Sequence, residues 1–126
     1  MVKPGQIERL LDAATQSLHG VKRGLSYEAR KTRVDATLAR YGIFTQSRVA
    51  ECSVDTEKEE ENGAPTVYVT VDVRLTAPDG SYSEVRTVGE GIGDITNASM
   101  DAAEQAQWMA ISTTLEVDPT DDSMGA

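Results

Sequence analysis

"TVYVTVDVRLTAPDGSYSEVRTVGEG", residues 66–91, decides the fold. Val67, Val69, Val71, Val73 and Leu75 alternate with Tyr68, Thr70, Asp72 and Arg74. A period of two puts one set of side chains in a core and the other in water, the pattern of a half-buried strand. Pro78-Asp79-Gly80 carries turn chemistry. Beyond it Tyr82, Glu84, Arg86 and Val88 alternate with Ser83, Val85 and Thr87, which makes a returning strand. The reading predicts a hairpin with strands at about residues 66–76 and 81–88.

The next stretch, "GEGIGDITNASMDAAEQAQWMA" at 89–110, opens with glycines at alternate positions. A dinucleotide cradle needs the spacing G-x-G-x-x-G inside a parallel β-α-β unit. Here the glycines leave an antiparallel hairpin, no strand follows the helix, and Glu90 would repel a phosphate. The glycines are expected instead to permit a tight change of direction into a helix. In that helix Ala98, Ala102, Ala106 and Ala110 form a smooth stripe, fit to lie close on the hairpin.

Upstream, "KPGQIERLLDAATQSLHG" spaces Ile7, Leu10, Leu11, Ala14 and Leu18 helically, with Gly20 as a stop. "SYEARKTRVDATLARYG" predicts a second helix, with Ser26 as N-cap and Gly42 as C-terminal cap. "IFTQSRVAECSVD" is rich in β-branched residues and predicts a strand over 43–55 with imperfect alternation. "TEKEEENGAP" is a solvated acidic connection. The expected fold class is therefore α+β: two helices, a three-stranded antiparallel meander, and a C-terminal helix packed across it. One domain over 1–117 and an acidic, disordered tail at 118–126 complete the expected organisation.

Composition narrows the chemistry. The chain has 126 residues, one cysteine and one histidine. Cys52 alone cannot form an internal disulfide or a cysteine metal site, and His19 alone excludes triads and two-histidine zinc sites. No apolar run approaches the roughly 20 residues of a membrane span, and the N-terminus lacks signal character. The expectation is a soluble, cytoplasmic, non-enzymatic protein without cofactor, metal or membrane partner.

The net charge of −9 argues against binding nucleic acid over the whole surface, but the charge is uneven. Residues 19–48 hold seven basic against two acidic side chains, a local +5 that leaves −14 for the remainder. Two readings fit this cluster: solvated charges on a helix surface, or a local face for a polyanion.

"GEGIGDITNASMDAAEQAQWMAI" is similar, without gaps, to the glycine-to-helix motif of the ERF family, the phage single-strand annealing proteins related to the eukaryotic recombination mediators. "VDATLARYGIF" resembles that family's upstream helix and "VYVTVDVRLTAPDGSYSEVRTVGEG" its central hairpin, so the likeness covers about residues 30–117. The resemblance implies a β-β-β-α core, ring or filament homo-oligomers, and binding of single-stranded DNA for annealing in phage-type recombination, in the host cytoplasm if phage-encoded. The family's motif carries lysines where this chain has Asn97, Asp101 and Trp108.

Annealing needs no catalytic residue. It needs cations that neutralise two mutually repelling backbones while leaving the base edges open. The candidate DNA contacts are Arg30, Lys31, Arg33, Arg40 and Arg48, with Arg74 and Arg86 adding to them from the wet face of the hairpin. Tyr41, Tyr68 and Tyr82 are candidate stacking surfaces. The competing expectation is an acidic interaction protein on the same fold, a regulator or anti-defence protein that does not bind DNA.

Overall fold

The computed structural model describes residues 5–19, 25–57 and 63–119. Gly20, Lys22, Arg23, residues 58–62 of the acidic connection, and the tail from residue 120 onward lie outside these. The elements are α1 (Gln6–Ser17), α2 (Tyr27–Arg40), β1 (Phe44–Asp55), β2 (Thr66–Thr76), β3 (Tyr82–Ile92) and α3 (Ile95–Thr114). The strands form one antiparallel sheet in the order β1-β2-β3, and α3 packs across it. This is the α+β order expected from the sequence. Among the described residues no helix is long and apolar enough to cross a membrane.

The hairpin is regular from end to end. At its tip the Ala77 amide donates to the Ser81 carbonyl at 2.8 Å, and at its open end the Gly93 amide donates to the Pro65 carbonyl at 3.2 Å. Both pairings belong to one register, which sets Asp72 opposite Arg86 and Arg74 opposite Glu84. Gly80, at φ 86°, turns the chain.

The chain divides into two compact units, each assembled from separate segments. The first comprises Met1–Gln46, Arg74–Glu84 and Ile111–Ala126. Its buried residues include Ile7, Ala14, Leu18, Val34, Leu38, Leu75, Ile111 and Leu115. In this unit α2 is bounded as its sequence dictates. The Ser26 hydroxyl accepts from the Ala29 amide at 3.2 Å, a side-chain N-cap. The chain leaves through Gly42 at φ 68°. Ile43 N–H then returns to the Leu38 carbonyl at 2.9 Å. By contrast α1 has no capping side chain of its own. Its first amides are satisfied by the hairpin turn: Gln6 N–H donates to Asp79 Oδ2 at 3.0 Å and Ile7 N–H to Ser81 Oγ at 2.9 Å. Gly5 stands at φ 151°, where a Cβ would lie 2.8 Å from that of Ser81, a conformation and a space that only glycine tolerates.

The second unit comprises Ser47–Val73 and Val85–Ala110. Val67, Val69, Val71 and Val73 of β2 are buried, as are Ala98, Ala102, Ala106 and Ala110 of α3. Here the sequence expectation for the glycines needs correcting. β3 does not stop at Val88; it continues to Ile92, and Gly89 and Gly91 lie within it. Each is a site of backbone contact: a Cβ on Gly89 would strike the Ala102 carbonyl, and one on Gly91 the Ala98 carbonyl. Only Gly93, at φ 139°, serves the change of direction.

Because backbone meets backbone here, any added carbon must push helix and strand apart. Gly89→Ala and Ala106→Leu are each expected to cost on the order of 1–3 kcal/mol, the range for overpacked cores, with Gly89→Ala at the upper end. Urea unfolding checks this, and an unchanged midpoint in either variant contradicts the close packing.

Candidate nucleic-acid interface

The structure separates the seven nominated cations into four kinds. Arg30 is a correction. It is only 3% exposed, and its Nη1 donates to the Leu25 carbonyl at 2.8 Å. A helix repeats every 3.6 residues, so Arg30 shares the inward side of α2 with Val34 and Leu38. Its guanidinium is committed inside the fold and is withdrawn from the set that can reach a phosphate.

Lys31, Arg33 and Arg40 remain on α2. Lys31 is half-buried with its ammonium 5.2 Å from the centre of the Tyr27 ring. Arg33 and Arg40 are exposed. Seven residues make almost two turns, which puts these two on one side of the helix. The Arg40 guanidinium lies 5.6 Å from the Tyr41 ring. The candidate stacking surfaces Tyr41 and Tyr82 thus each face an arginine of their own chain.

On the hairpin, Arg74 is paired with Glu84 at 2.9 Å and stacked 4.0 Å above the Tyr82 ring. Its charge is balanced locally. Arg48 and Arg86 differ, because they share one carboxylate. Arg86 grips Asp72 with two parallel bonds, Nε to Oδ1 at 2.7 Å and Nη2 to Oδ2 at 3.0 Å. Arg48 adds one longer bond, Nη2 to the same Oδ2 at 3.2 Å. The side chains of Arg48 and Arg86 are 78% and 64% exposed, whereas Asp72 is 7% exposed beneath them.

The strands make this arrangement. Asp72 belongs to the set of β2 side chains that point away from α3, Arg86 is its cross-strand partner on β3, and Arg48 comes from β1 on the other flank. On the opposite face of the same unit Ser47 Oγ donates to Gln107 of α3 at 3.2 Å and Thr87 Oγ1 to the Ala106 carbonyl at 2.7 Å. The face bearing Arg48, Asp72 and Arg86 also shows exposed Val88, Glu90 and Ile92 and half-buried Tyr68. Sequence reasoning nominated both arginines but missed Asp72, the residue that brings them together.

The three positions where the ERF motif carries lysines fall out differently. Asn97 and Asp101 are exposed, while Trp108 is buried. From Asp94 through Glu116 the chain has four acidic residues, all exposed, and no basic one.

The guanidinium of Arg86 is the main cause of a low Asp72 pKa. Burial opposes it, Arg48 adds to it, and the carboxyl is held down to about 2 from an ordinary 3.8. A folded-state pKa below the unfolded value gives stability that is fully present above pH about 4 and is lost as pH falls through about 2. Wild-type protein is therefore expected to lose urea resistance over that window, with Asp72→Asn lacking this component. Carboxyl NMR gives the second check: Arg86→Ala should raise the Asp72 titration toward 3.8.

No protein-family model matches the chain, and no curated protein matches it.

Proposed function

We propose that the protein is a non-catalytic single-stranded DNA-binding protein of the annealing type, working in recombination as the likeness to the ERF family implies. The observation that carries this reading is the arginine pair raised on Asp72 from a sheet face left open. A single strand bound by its phosphates on such a face keeps its bases accessible to a complementary strand. Tyr68, four residues before Asp72 and on its side of β2, offers a ring near the same surface. Arg33 and Arg40 supply further exposed cations on α2. The reaction requires no covalent chemistry, and a cytoplasmic setting accords with it.

A homo-oligomer is part of the proposal. β1 is an edge strand of 12 residues, exposed along nearly all its length, with Val49 and Val54 among its uncovered side chains. Long open edges of this kind favour pairing with another copy.

Anisotropy of a labelled oligo-dT tests the first part. Binding at low salt that weakens steadily as salt rises is expected, as is faster annealing of complementary oligonucleotides in the protein's presence. No binding at low salt would sink the proposal and turn attention to the acidic helix α3 as a protein-docking surface. Light scattering at high protein concentration tests the second part, and a monomer there rejects the oligomer.

A further inference from the structure

On the reading that this face binds the DNA backbone, we propose that Asp72 acts as an internal competitor for the phosphate, and that Arg48 is the side chain transferred from Asp72 to the DNA. The two arginines are not held alike. Arg86 makes two bonds to Asp72, at 2.7 and 3.0 Å, the forked geometry in which guanidinium and carboxylate match best. Arg48 makes one, at 3.2 Å, to an oxygen that already accepts from Arg86. It is also the more exposed of the two, 78% against 64%. When a phosphate oxygen arrives, Arg48 can turn to it while Arg86 keeps Asp72 satisfied. The reverse exchange would leave a nearly buried carboxylate on one weak contact, which burial makes unfavourable.

The consequence is attenuation. Two guanidiniums and one carboxylate present one net positive charge to the strand instead of two. An annealing protein that held its strand with full charge would resist the sliding and re-registration that base pairing between two long strands requires. Asp72 gives each phosphate a rival of the same charge sign already in place, so contacts form and release readily.

Oligo-dT anisotropy over a salt series, on the full chain and two variants, tests the proposal. Asp72→Asn is expected to bind roughly 2- to 5-fold more tightly at low salt, the scale of one exposed ion pair, with the slope of log K against log salt steeper by about 0.7. Arg48→Gln should bind more weakly, with a slope shallower by about 0.7 and an unchanged thermal midpoint. In 15N spectra the Arg48 Nε–H resonance should shift on adding oligo-dT while that of Arg86 stays. If wild type binds but Asp72→Asn binds no tighter, or the Arg86 signal moves and that of Arg48 does not, the transfer is wrong and the DNA-binding reading stands. If neither wild type nor Asp72→Asn binds at low salt, the DNA-binding reading itself fails and this inference falls with it. Should Asp72→Asn not fold, Arg48→Gln and the wild-type resonances decide alone.

Discussion

The contact of one backbone on another, α3 on β3, governs the second unit. Three steps along β3, at Thr87, Gly89 and Gly91, meet three steps along α3, at Ala106, Ala102 and Ala98. Two residues of strand advance about 6.8 Å and four residues of helix about 6 Å, so the two series stay in step while the chains run in opposite directions. Glycine is required at 89 and 91 because the helix carbonyls occupy the space of a Cβ. At 87 the gap admits a side chain, and the Thr87 hydroxyl fills it with a bond to Ala106. Slipping the helix by one residue would bring a larger side chain against the strand, so the seam specifies a single register.

From that seam follows the character of the other face. A helix seated this closely covers the valine side of β2, while Arg48, Arg86, Val88 and Ile92 on the opposite side of this unit are exposed. Asp72 therefore faces outward by strand alternation yet is nearly buried, because the arginines of both neighbouring strands close over it. The two ion pairs stabilise the fold only modestly, since both guanidiniums are largely exposed. The larger effect of Asp72 is to orient the arginines, since it fixes donors of both.

Much of this was legible in the residues. The valine alternation and the Pro78-Asp79-Gly80 turn placed β2 and β3, and pairing outward from that turn sets 72 opposite 86 by counting alone. The alanine stripe marked the helix face that is buried. Gly89 and Gly91 were misassigned because a glycine at a turn and a glycine under a helix look the same in sequence; only a partner at close range separates them. Arg30 was misassigned for a related reason. It sits in a basic run, but its helical phase is that of Val34 and Leu38, a signal available from spacing that its charge obscured. The capping of α1 by Asp79 and Ser81 joins residues more than 70 positions apart, and no local pattern announces it. The place of Arg48 beside Asp72 likewise depends on the pairing of β1, whose alternation is too weak to set a register.

The acidity of the chain then bears on what its open face can do. With a net charge of −9, the chain as a whole has no long-range attraction for DNA. Any affinity must come from contacts within a Debye length, about 10 Å at ~0.1 M salt. The exposed carboxylates of α3 repel a strand, so a bound backbone is confined to surfaces where guanidiniums stand ahead of the carboxylates. At Asp72 that order holds, because the carboxylate lies beneath Arg48 and Arg86, while Glu90 stands exposed on the same face. Along α3 it does not, since Asp101 and Glu104, with Asp94 just before the helix, stand exposed with no cation among them. An acidic protein of this build can hold a polyanion only by short-range, orientationally fixed contacts.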